Sequence, residues 1–237
     1  MHTVVFVHGA FAESTGWHGV AHRLHAAGHP VIAAANPLRG VAGDAAWVSD
    51  LVRTIHGSVV LVGHSYGGAV ITNVDADAAD ITGLVYVAAF APDEGETCNE
   101  NAQRFPGSTL GEAVQVVPRG DGGPDLLIAR DRFHEQFCAD VPADVAGWMA
   151  ATQRPTALAA FEEPSGPDPL WKHVPSSFVI AGEDRNIPPE LQRFFAERSN
   201  AAKVVDIAGA SHAVFISHPE ETADVIALAA HPAKAAA

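Results

Sequence analysis

Basic residues are scarce in this sequence. It contains 14 Lys and Arg against 28 Asp and Glu, which gives a formal net charge of −14 with His neutral. A surface of that charge repels phosphate backbones and anionic membranes, so we expect neither a nucleic-acid nor a membrane partner. A strongly anionic substrate is disfavoured for the same reason.

Long apolar runs are also missing. No stretch approaches the roughly 18 uninterrupted apolar residues that a membrane-spanning helix needs. The opening stretch MHTVVFVHG contains one short apolar run and no basic leader. We therefore expect no signal peptide and a cytoplasmic location.

Cysteine is rare as well: the sequence contains two, Cys98 and Cys138. The sequence contains no CxxC pair and no Cys/His spacing typical of a metal site, so no metal is predicted. Two reduced thiols that pack in the interior are the favoured interpretation, and a single disulfide between them stays open.

Short β-branched runs alternate with segments of helical period in a chain of 237 residues that is 48% hydrophobic and 18% charged. This composition is typical of a globular domain. Six apolar runs, each separated from the next by a helical segment, predict an α/β fold with a largely parallel sheet covered by helices on both faces. The predicted strands are residues 3–7, 29–34, 58–62, 83–88, 177–181 and 203–207.

The alternation stops after Phe90. Residues 92–172 are rich in Pro, Gly and aromatic residues, and we interpret them as an inserted cap on a core made of residues 1–91 and 173–232. Within the insert, residues 113–129 predict two short strands joined by a glycine turn.

Two local predictions concern the core helices. Ser14 or Thr15 is predicted to cap the first helix, and a helix is predicted over residues 66–78.

The stretch VVLVGHSYGGAV places Ser65 between an apolar strand and a helix of small residues. A direct turn from strand to helix strains its central residue and requires very small neighbours, which Gly63, Gly67 and Gly68 supply. Such a turn presents the serine at the sheet edge, near helix N–H groups that favour a developing oxyanion. The pattern therefore predicts Ser65 as a nucleophile.

A serine hydroxyl needs a base, and the base needs a carboxylate that orients it. The expected chain order is Ser, then Asp or Glu, then His, each after a later strand. His212 follows the predicted strand 203–207 and is the candidate base. The loop AGEDRNIPP offers Asp184 and Glu183 as the acid; Asp184 is favoured, and Glu183 is held in reserve.

The oxyanion hole is predicted to combine the Tyr66 N–H with an N–H from the loop VHGAF that follows the first strand. Ala10 is the favoured donor in that loop, with Phe11 as the alternative. His8 is expected to hold the loop by hydrogen bonds rather than to act as an acid or base.

The stretches HGAF, GHSYGG, GEDRNIPP and GASHAVFISHP follow one another in the order and spacing of the α/β-hydrolase superfamily, and the match covers essentially the whole chain. Within that superfamily the chain most resembles the compact branch of plant methyl-ester esterases, hydroxynitrile lyases and small bacterial esterases. The resemblance implies the α/β-hydrolase fold with a cap over the site, and a triad of Ser65, Asp184 and His212. It implies no metal and no organic cofactor.

Two positions differ from the hydroxynitrile lyases of this branch. Those enzymes have Thr after the loop histidine and Lys after the catalytic histidine, where this chain has Gly9 and Ala213. The positive charge that handles cyanide is therefore missing, which disfavours cleavage of cyanohydrins.

The leading functional hypothesis is a serine hydrolase that acts on an uncharged carboxylic ester of a small molecule. The alternative is a non-hydrolytic lyase or isomerase that uses the same triad as acid and base. A monomer and a homodimer both stay open. Apolar side chains are candidates for the substrate pocket, although ordinary packing explains each of them equally well: Phe11, Phe133, Phe137, Trp148 and Met149.

Overall fold

The computed structural model describes residues 2–120 and 123–230. Residues 121 and 122 of the predicted glycine turn, and residues 231 and 232 of the predicted core range, lie outside the described residues. The described strands are β1 Thr3–Val7, β2 Val31–Ala34, β3 Ser58–His64, β4 Asp80–Val87, β5 Val114–Val117, β6 Asp125–Ile128, β7 Thr156–Ala157, β8 Ser176–Ala181 and β9 Lys203–Ile207.

Helices lie between most of these strands, and two short 3₁₀ turns, Ser14–Trp17 and Leu170–Lys172, accompany them. The described helices are α1 His18–Ala26, α2 Val41–Arg53, α3 Tyr66–Thr72, α4 Cys98–Ala102, α5 Leu110–Ala113, α6 Arg130–Phe137, α7 Ala143–Thr152, α8 Ala159–Glu162, α9 Pro189–Arg198, α10 Val214–Ser217 and α11 Pro219–Ala229.

Six strands form the main sheet in the order β2-β1-β3-β4-β8-β9, and every neighbouring pair is parallel. This confirms the predicted α/β architecture and all six predicted strands, with shifts of up to three residues at their ends. Parallel neighbours place the carboxyl ends of their strands along one edge, where sheets of this kind bind ligands.

The two faces of the sheet bury two separate apolar clusters. Successive side chains of a strand point to opposite faces, so Val5 belongs to one cluster and its neighbour Val4 to the other. Residues of α2, α3 and α9 join the Val5 cluster, whereas residues of α1 and α11 join the Val4 cluster. The continuous apolar runs of the central strands follow from burial on both faces.

The segment between β4 and β8 leaves the main sheet and forms a small antiparallel sheet of its own, in the order β5-β6-β7. Strands β5 and β6 pair as the sequence predicts, with Val114 opposite Ile128. Buried residues of this segment, among them Phe133 and Phe137, belong to the same apolar cluster as Val5 of the main sheet. The segment therefore packs against the carboxyl edge of the sheet through a shared core.

Two local predictions are wrong. Ser14 and Thr15 do not cap the first helix, because Glu13 precedes a 3₁₀ turn and the Ser14 hydroxyl donates to the carbonyl of Ala34 at 2.9 Å. Helix α3 ends at Thr72 instead of residue 78. Shortly after it, the Asp75 carboxylate accepts the Asp77 N–H at 3.0 Å, a local turn that competes with helix.

Candidate active site

Ser65 lies in the sharp turn between β3 and α3, with φ 54° and ψ −125°. This conformation costs a non-glycine residue about 1–3 kcal/mol and persists when its surroundings hold it. The Ser65 N–H donates to Val87 O at 3.2 Å, and the Ser65 carbonyl accepts the N–H groups of Phe90 and Gly68 at 3.1 and 3.0 Å. Hydrogen bonds to both the N–H and the carbonyl of Ser65 therefore hold the turn in place.

Glycine is required around this turn because backbone segments almost touch. A Cβ at Gly63 would lie 2.6 Å from the Gly67 carbonyl oxygen, and one at Gly67 would lie 2.2 Å from the carbonyl oxygen of Val7. At Gly68, a Cβ would lie 2.2 Å from the Phe90 carbonyl oxygen. Each of these atoms belongs to the backbone, so no side-chain movement relieves the overlap.

A buried imidazole–carboxylate pair lies at the same edge of the sheet. His212 Nδ1 is 2.7 Å from Asp184 Oδ2, and the two residues are 1% and 4% exposed. Asp184 Oδ1 accepts the backbone N–H groups of Asn186 and Ile187 at 2.7 and 3.0 Å. Gln192 Nε2 donates to Oδ2 at 2.8 Å. Both carboxylate oxygens therefore act as acceptors, so Nδ1 of His212 carries the proton and Nε2 is free to accept one.

Glu183, the alternative acid, is exposed. Of the two carboxylates in the AGEDRNIPP loop, the structure brings Asp184 to His212. Ser65 and His212 line the same cavity, and no hydrogen bond joins Ser65 Oγ to His212 Nε2 in residues 2–120 and 123–230. Catalytic hydrogen bonds are often long in ligand-free sites and shorten when substrate binds.

A second buried histidine, His64, contacts His212. His64 Nε2 lies 3.0 Å from the His212 carbonyl oxygen, and the two rings are 4.6 Å apart. Because a carbonyl only accepts, Nε2 of His64 carries its proton. Burial lowers the pKa of His64 well below its usual value, and the nearby His212 lowers it further. His64 thus stays neutral and places no positive charge beside His212.

The loop after β1 is tied to the chain that follows β2. The Asn36 N–H donates to His8 Nε2 at 3.1 Å, so Nδ1 of His8 carries the proton and donates to the Gly9 carbonyl at 2.9 Å. Burial lowers the pKa of His8 to about 4. A Cβ at Gly9 would lie 2.5 Å from the Ser65 Cβ, so this loop passes directly against Ser65.

The backbone N–H groups of Ala10 and Tyr66 have no acceptor within the described ranges. Phe11, the alternative to Ala10, differs, because its N–H donates to Thr156 Oγ1 at 3.4 Å. Tyr66 is the first residue of α3, where helix N–H groups lack intrahelical partners and the helix dipole is positive. Ala10 also lines the cavity that contains Ser65.

Tyr66 is not among the described lining residues of this cavity, and its side chain is held by a carboxylate. Its hydroxyl donates to Asp44 Oδ2 at 2.8 Å, and both residues are buried. Burial raises the pKa of Asp44, while hydrogen bonds from the Arg39 N–H and the Tyr66 hydroxyl oppose that rise. Burial beside Asp44 also raises the pKa of Tyr66, which therefore remains a protonated donor.

We expect Tyr66→Phe to lower the free energy of unfolding by about 1–3 kcal/mol, because a buried carboxylate loses one of its donors. Urea denaturation measures this change. Tyr86→Phe is the matched control, since the Tyr86 hydroxyl is equally buried but bonds to the neutral Thr72 hydroxyl at 2.9 Å. A loss in Tyr66→Phe that does not exceed the loss in Tyr86→Phe would contradict a special contribution from Asp44.

The cavity at Ser65 has a volume of about 680 Å³ and is largely apolar. No Asp, Glu, Lys or Arg side chain is among its described lining residues. Its walls come mainly from the segment between β4 and β8 and from the loops at the carboxyl edge of the sheet. The larger apolar lining side chains are Phe11, Phe90, Phe105, Leu110, Leu126, Leu158, Phe161 and Ile187.

Of the predicted pocket residues, Phe11 lines this cavity and the other four do not. Phe137 packs its ring against His212 with a centroid distance of 5.0 Å, and Phe133 stacks on Phe137. Trp148 is 68% exposed and, with Met149, lines a separate groove on the far side of Phe11. Their apolar character made them candidates, but it carried no information about which wall each one faces.

Several residues of the site were not predicted. Phe90, Phe105 and Phe161 line the cavity from a part of the chain with little periodicity, so no sequence pattern pointed to them. Asp44 lies on the buried, mainly apolar face of α2, and a carboxylate at such a position was a usable signal for a structural partner.

The two cysteines, Cys98 and Cys138, are buried and free. Burial raises the pKa of both thiols, that of Cys138 to about 12.

Among the described residues, no group of three or more His, Cys, Asp or Glu side chains is placed to hold a metal ion. The described helices include none that is both long and apolar enough to cross a membrane.

The strained serine turn, the buried His–Asp pair and the six-stranded parallel sheet together define an α/β hydrolase. A family model described as "Alpha/beta hydrolase family" matches residues 4–225, and the chain belongs to this family.

Individual relatives fall in the branch that the sequence motifs indicated. "Esterase PIR7B" of Oryza sativa subsp. japonica is 25% identical, over 94% of this chain and 93% of the rice protein. "Alpha-hydroxynitrile lyase" of Arabidopsis thaliana is also 25% identical, over 94% of this chain and 95% of that protein. Among solved structures, a pyrethroid hydrolase from Sphingobium faniae JZ-2 superposes with a TM-score of 0.79 at 23% identity and covers 98% of both chains. These matches confirm the predicted esterase and hydroxynitrile-lyase branch.

Proposed function

We propose that this protein is a serine hydrolase that cleaves uncharged carboxylic esters through an acyl-enzyme on Ser65. One observation carries the proposal: Ser65 and His212 line one cavity, and Asp184 holds the imidazole of His212 with Nε2 free to accept a proton. That arrangement is what an activated serine nucleophile requires. The name of the rice relative supports ester cleavage as the reaction.

In the proposed mechanism, Ser65 Oγ attacks the ester carbonyl while His212 Nε2 takes the hydroxyl proton. Asp184 stabilises the imidazolium that results and keeps Nδ1 protonated throughout. His212 then returns the proton to the leaving alkoxide, which departs as the alcohol. A water molecule, activated by the same imidazole, attacks the acyl-enzyme and releases the carboxylic acid with regeneration of the Ser65 hydroxyl.

We further propose that the N–H groups of Ala10 and Tyr66 bind the oxyanion of each tetrahedral intermediate. Their lack of acceptors leaves them available, and the Gly9 backbone against Ser65 puts the Ala10 loop next to the nucleophile. Donors held in place before the reaction need no reorganisation as charge develops, and losing one typically costs about 3 kcal/mol of barrier.

The substrate class follows from the cavity and the net charge. An apolar cavity whose described lining residues include no charged side chain offers no compensation for the desolvation of a charged ligand. The net charge of −14 adds long-range repulsion against anions. We therefore propose a small, neutral and predominantly apolar ester.

The second candidate function is lyase chemistry at the same site, which the similarity to the Arabidopsis lyase favours. Gly9 and Ala213 argue against it. Ala213 is fully buried and brings no charge to the neighbourhood of His212. A threonine in place of Gly9 would set its Cβ 2.5 Å from that of Ser65, so the lyase pattern at this position does not fit this backbone.

A fluorophosphonate probe tests the acyl-enzyme directly, because it reacts only with an activated serine. We expect a single covalent adduct, mapped by mass spectrometry to Ser65, together with hydrolysis of short p-nitrophenyl esters. Folded protein that stays unmodified at Ser65 would contradict the proposal. An adduct on Ser65 without turnover of any ester would instead favour the lyase hypothesis.

A further inference from the structure

Asn186 lies in the wall of the active-site cavity and contains an unpaired hydrogen-bond donor. It is 3% exposed, and it lines the cavity together with Ser65, His212 and the neighbouring Ile187. Its backbone N–H donates to Asp184 Oδ1 at 2.7 Å, and its side-chain Oδ1 lies 2.8 Å from Gln136 Nε2. Its Nδ2 is buried and has no acceptor within residues 2–120 and 123–230.

The neighbouring amide determines which end of the Asn186 side chain is free. Gln136 Nε2 also donates to the carbonyl of Arg185 at 2.8 Å, and Gln136 Oε1 accepts the Thr109 hydroxyl at 2.9 Å. A carbonyl only accepts, so the Gln136 atom facing Arg185 must be the NH₂ group. The Asn186 atom beside that NH₂ group must then be its oxygen, which leaves the NH₂ group of Asn186 without a partner.

An unpaired donor of this kind is unusual in this wall. The other polar side chains of the cavity, apart from Ser65 and His212, are exposed and reach solvent: Asn99, Gln103 and Ser108. A buried donor without an acceptor costs stability, and native proteins tolerate few of them. An oxygen from a bound molecule would remove that cost, and the apolar surroundings would strengthen the bond.

We propose that Asn186 Nδ2 donates a hydrogen bond to a second oxygen of the substrate. The preferred substrates are then neutral esters whose apolar body contains one further acceptor, such as a ketone, an ether or a second ester carbonyl. This inference rests on the proposed ester hydrolase function. Because Nδ2 is buried in the wall of the cavity, a neighbouring side chain must shift to admit the oxygen, a change that commonly accompanies binding.

A matched substrate series tests the inference. Methyl octanoate is compared with methyl octanoates that contain one ketone at successive carbons of the chain. In the wild-type protein we expect at least one keto ester to have a kcat/KM about three- to tenfold above the value that its intrinsic chemical reactivity predicts. This factor corresponds to the free energy that one hydrogen bond contributes. Asn186→Leu should lose this preference, whereas Asn99→Leu, the same change at an exposed position of the cavity, should retain it. Ratios between variants cancel the intrinsic reactivity of each ester.

Asn186→Asp is a second variant in case the leucine variant does not fold. It retains an acceptor for Gln136 and replaces the donor by an acceptor. We expect it to lose the preference for keto esters and to prefer the corresponding hydroxy esters.

Calorimetric titration in a Ser65→Ala background separates this inference from the proposed function. If the wild-type protein hydrolyses no ester, the hydrolase proposal fails, yet binding of the keto and simple esters still tests Asn186. We expect the keto ester to bind about three- to tenfold more weakly when Asn186→Leu is added, with methyl octanoate unchanged. Equal ratios in every variant, in kinetics and in binding, would show that the Asn186 amide serves water or the protein interior and would overturn the inference.

Discussion

Replacing Ser65 with alanine should lower kcat for a short p-nitrophenyl ester by about 10⁶-fold, the loss that removal of a triad serine produces in a serine protease. The variant has no oxygen that can form the acyl-enzyme, so His212 and the oxyanion donors are left with direct attack by water. Steady-state kinetics, with the fluorophosphonate adduct as a second measurement, checks this result.

The folded state should survive this change. Alanine at residue 65 retains the same backbone conformation, with φ 54°, and the hydrogen bonds of the turn involve backbone groups of Val87, Phe90 and Gly68. Ser177→Ala is the matched control, because Ser177 is also 6% exposed but belongs to β8 in the core. We expect wild-type turnover in the control. Turnover within tenfold of wild type in Ser65→Ala would refute Ser65 as the nucleophile.

Asp184→Asn should also be strongly damaging, with kcat lower by about 10³- to 10⁴-fold. The comparable change in a serine protease triad costs about 10⁴ because the histidine adopts the wrong tautomer. The asparagine oxygen is required by the two backbone N–H groups of Asn186 and Ile187. Its NH₂ group then faces His212 Nδ1, which must lose its proton to accept. Nε2 becomes the protonated nitrogen and can no longer take the proton of Ser65.

Glu183→Gln is the control for Asp184→Asn, since it neutralises the adjacent carboxylate in the same loop. Glu183 is exposed, so we expect kcat within about twofold of wild type. Measuring kcat and KM separately adds a further check, because a loss of the base affects kcat while the apolar cavity that binds the ester is unchanged. A larger loss in Glu183→Gln than in Asp184→Asn would make Glu183 the triad acid.

Local patterns were sufficient to predict the order of strands and helices and the serine turn. Apolar β-branched runs mark strands that are buried on both faces, and the glycines around Ser65 mark places where backbone segments almost touch. The order of Ser65, Asp184 and His212 along the chain was equally readable, because each follows the carboxyl end of a strand in the same sheet.

The boundaries of short helices were less predictable, because side chains elsewhere in the fold compete for the same groups. Ser14 is a good capping residue by type, yet its hydroxyl bonds to Ala34 on a neighbouring strand. The helix after Ser65 stops early where the Asp75 carboxylate forms a local turn and the Asp75 N–H donates to the Ser49 hydroxyl oxygen at 3.0 Å. Helical propensity is a weak influence when such partners are present.

The sequence by itself thus determined the six strands of the main sheet, the presence of helices between them, and the chain positions of Ser65, Asp184 and His212 at one edge of that sheet. The cavity that would select a substrate was decided only by the tertiary structure, because its walls join Phe11, Phe90 and Phe161 from distant parts of the chain. The free donor of Asn186 is a similar case, since its orientation depends on Gln136, 50 residues away. Sequence periodicity reports which side of an element is apolar, whereas the neighbour that faces each side chain depends on how the elements pack.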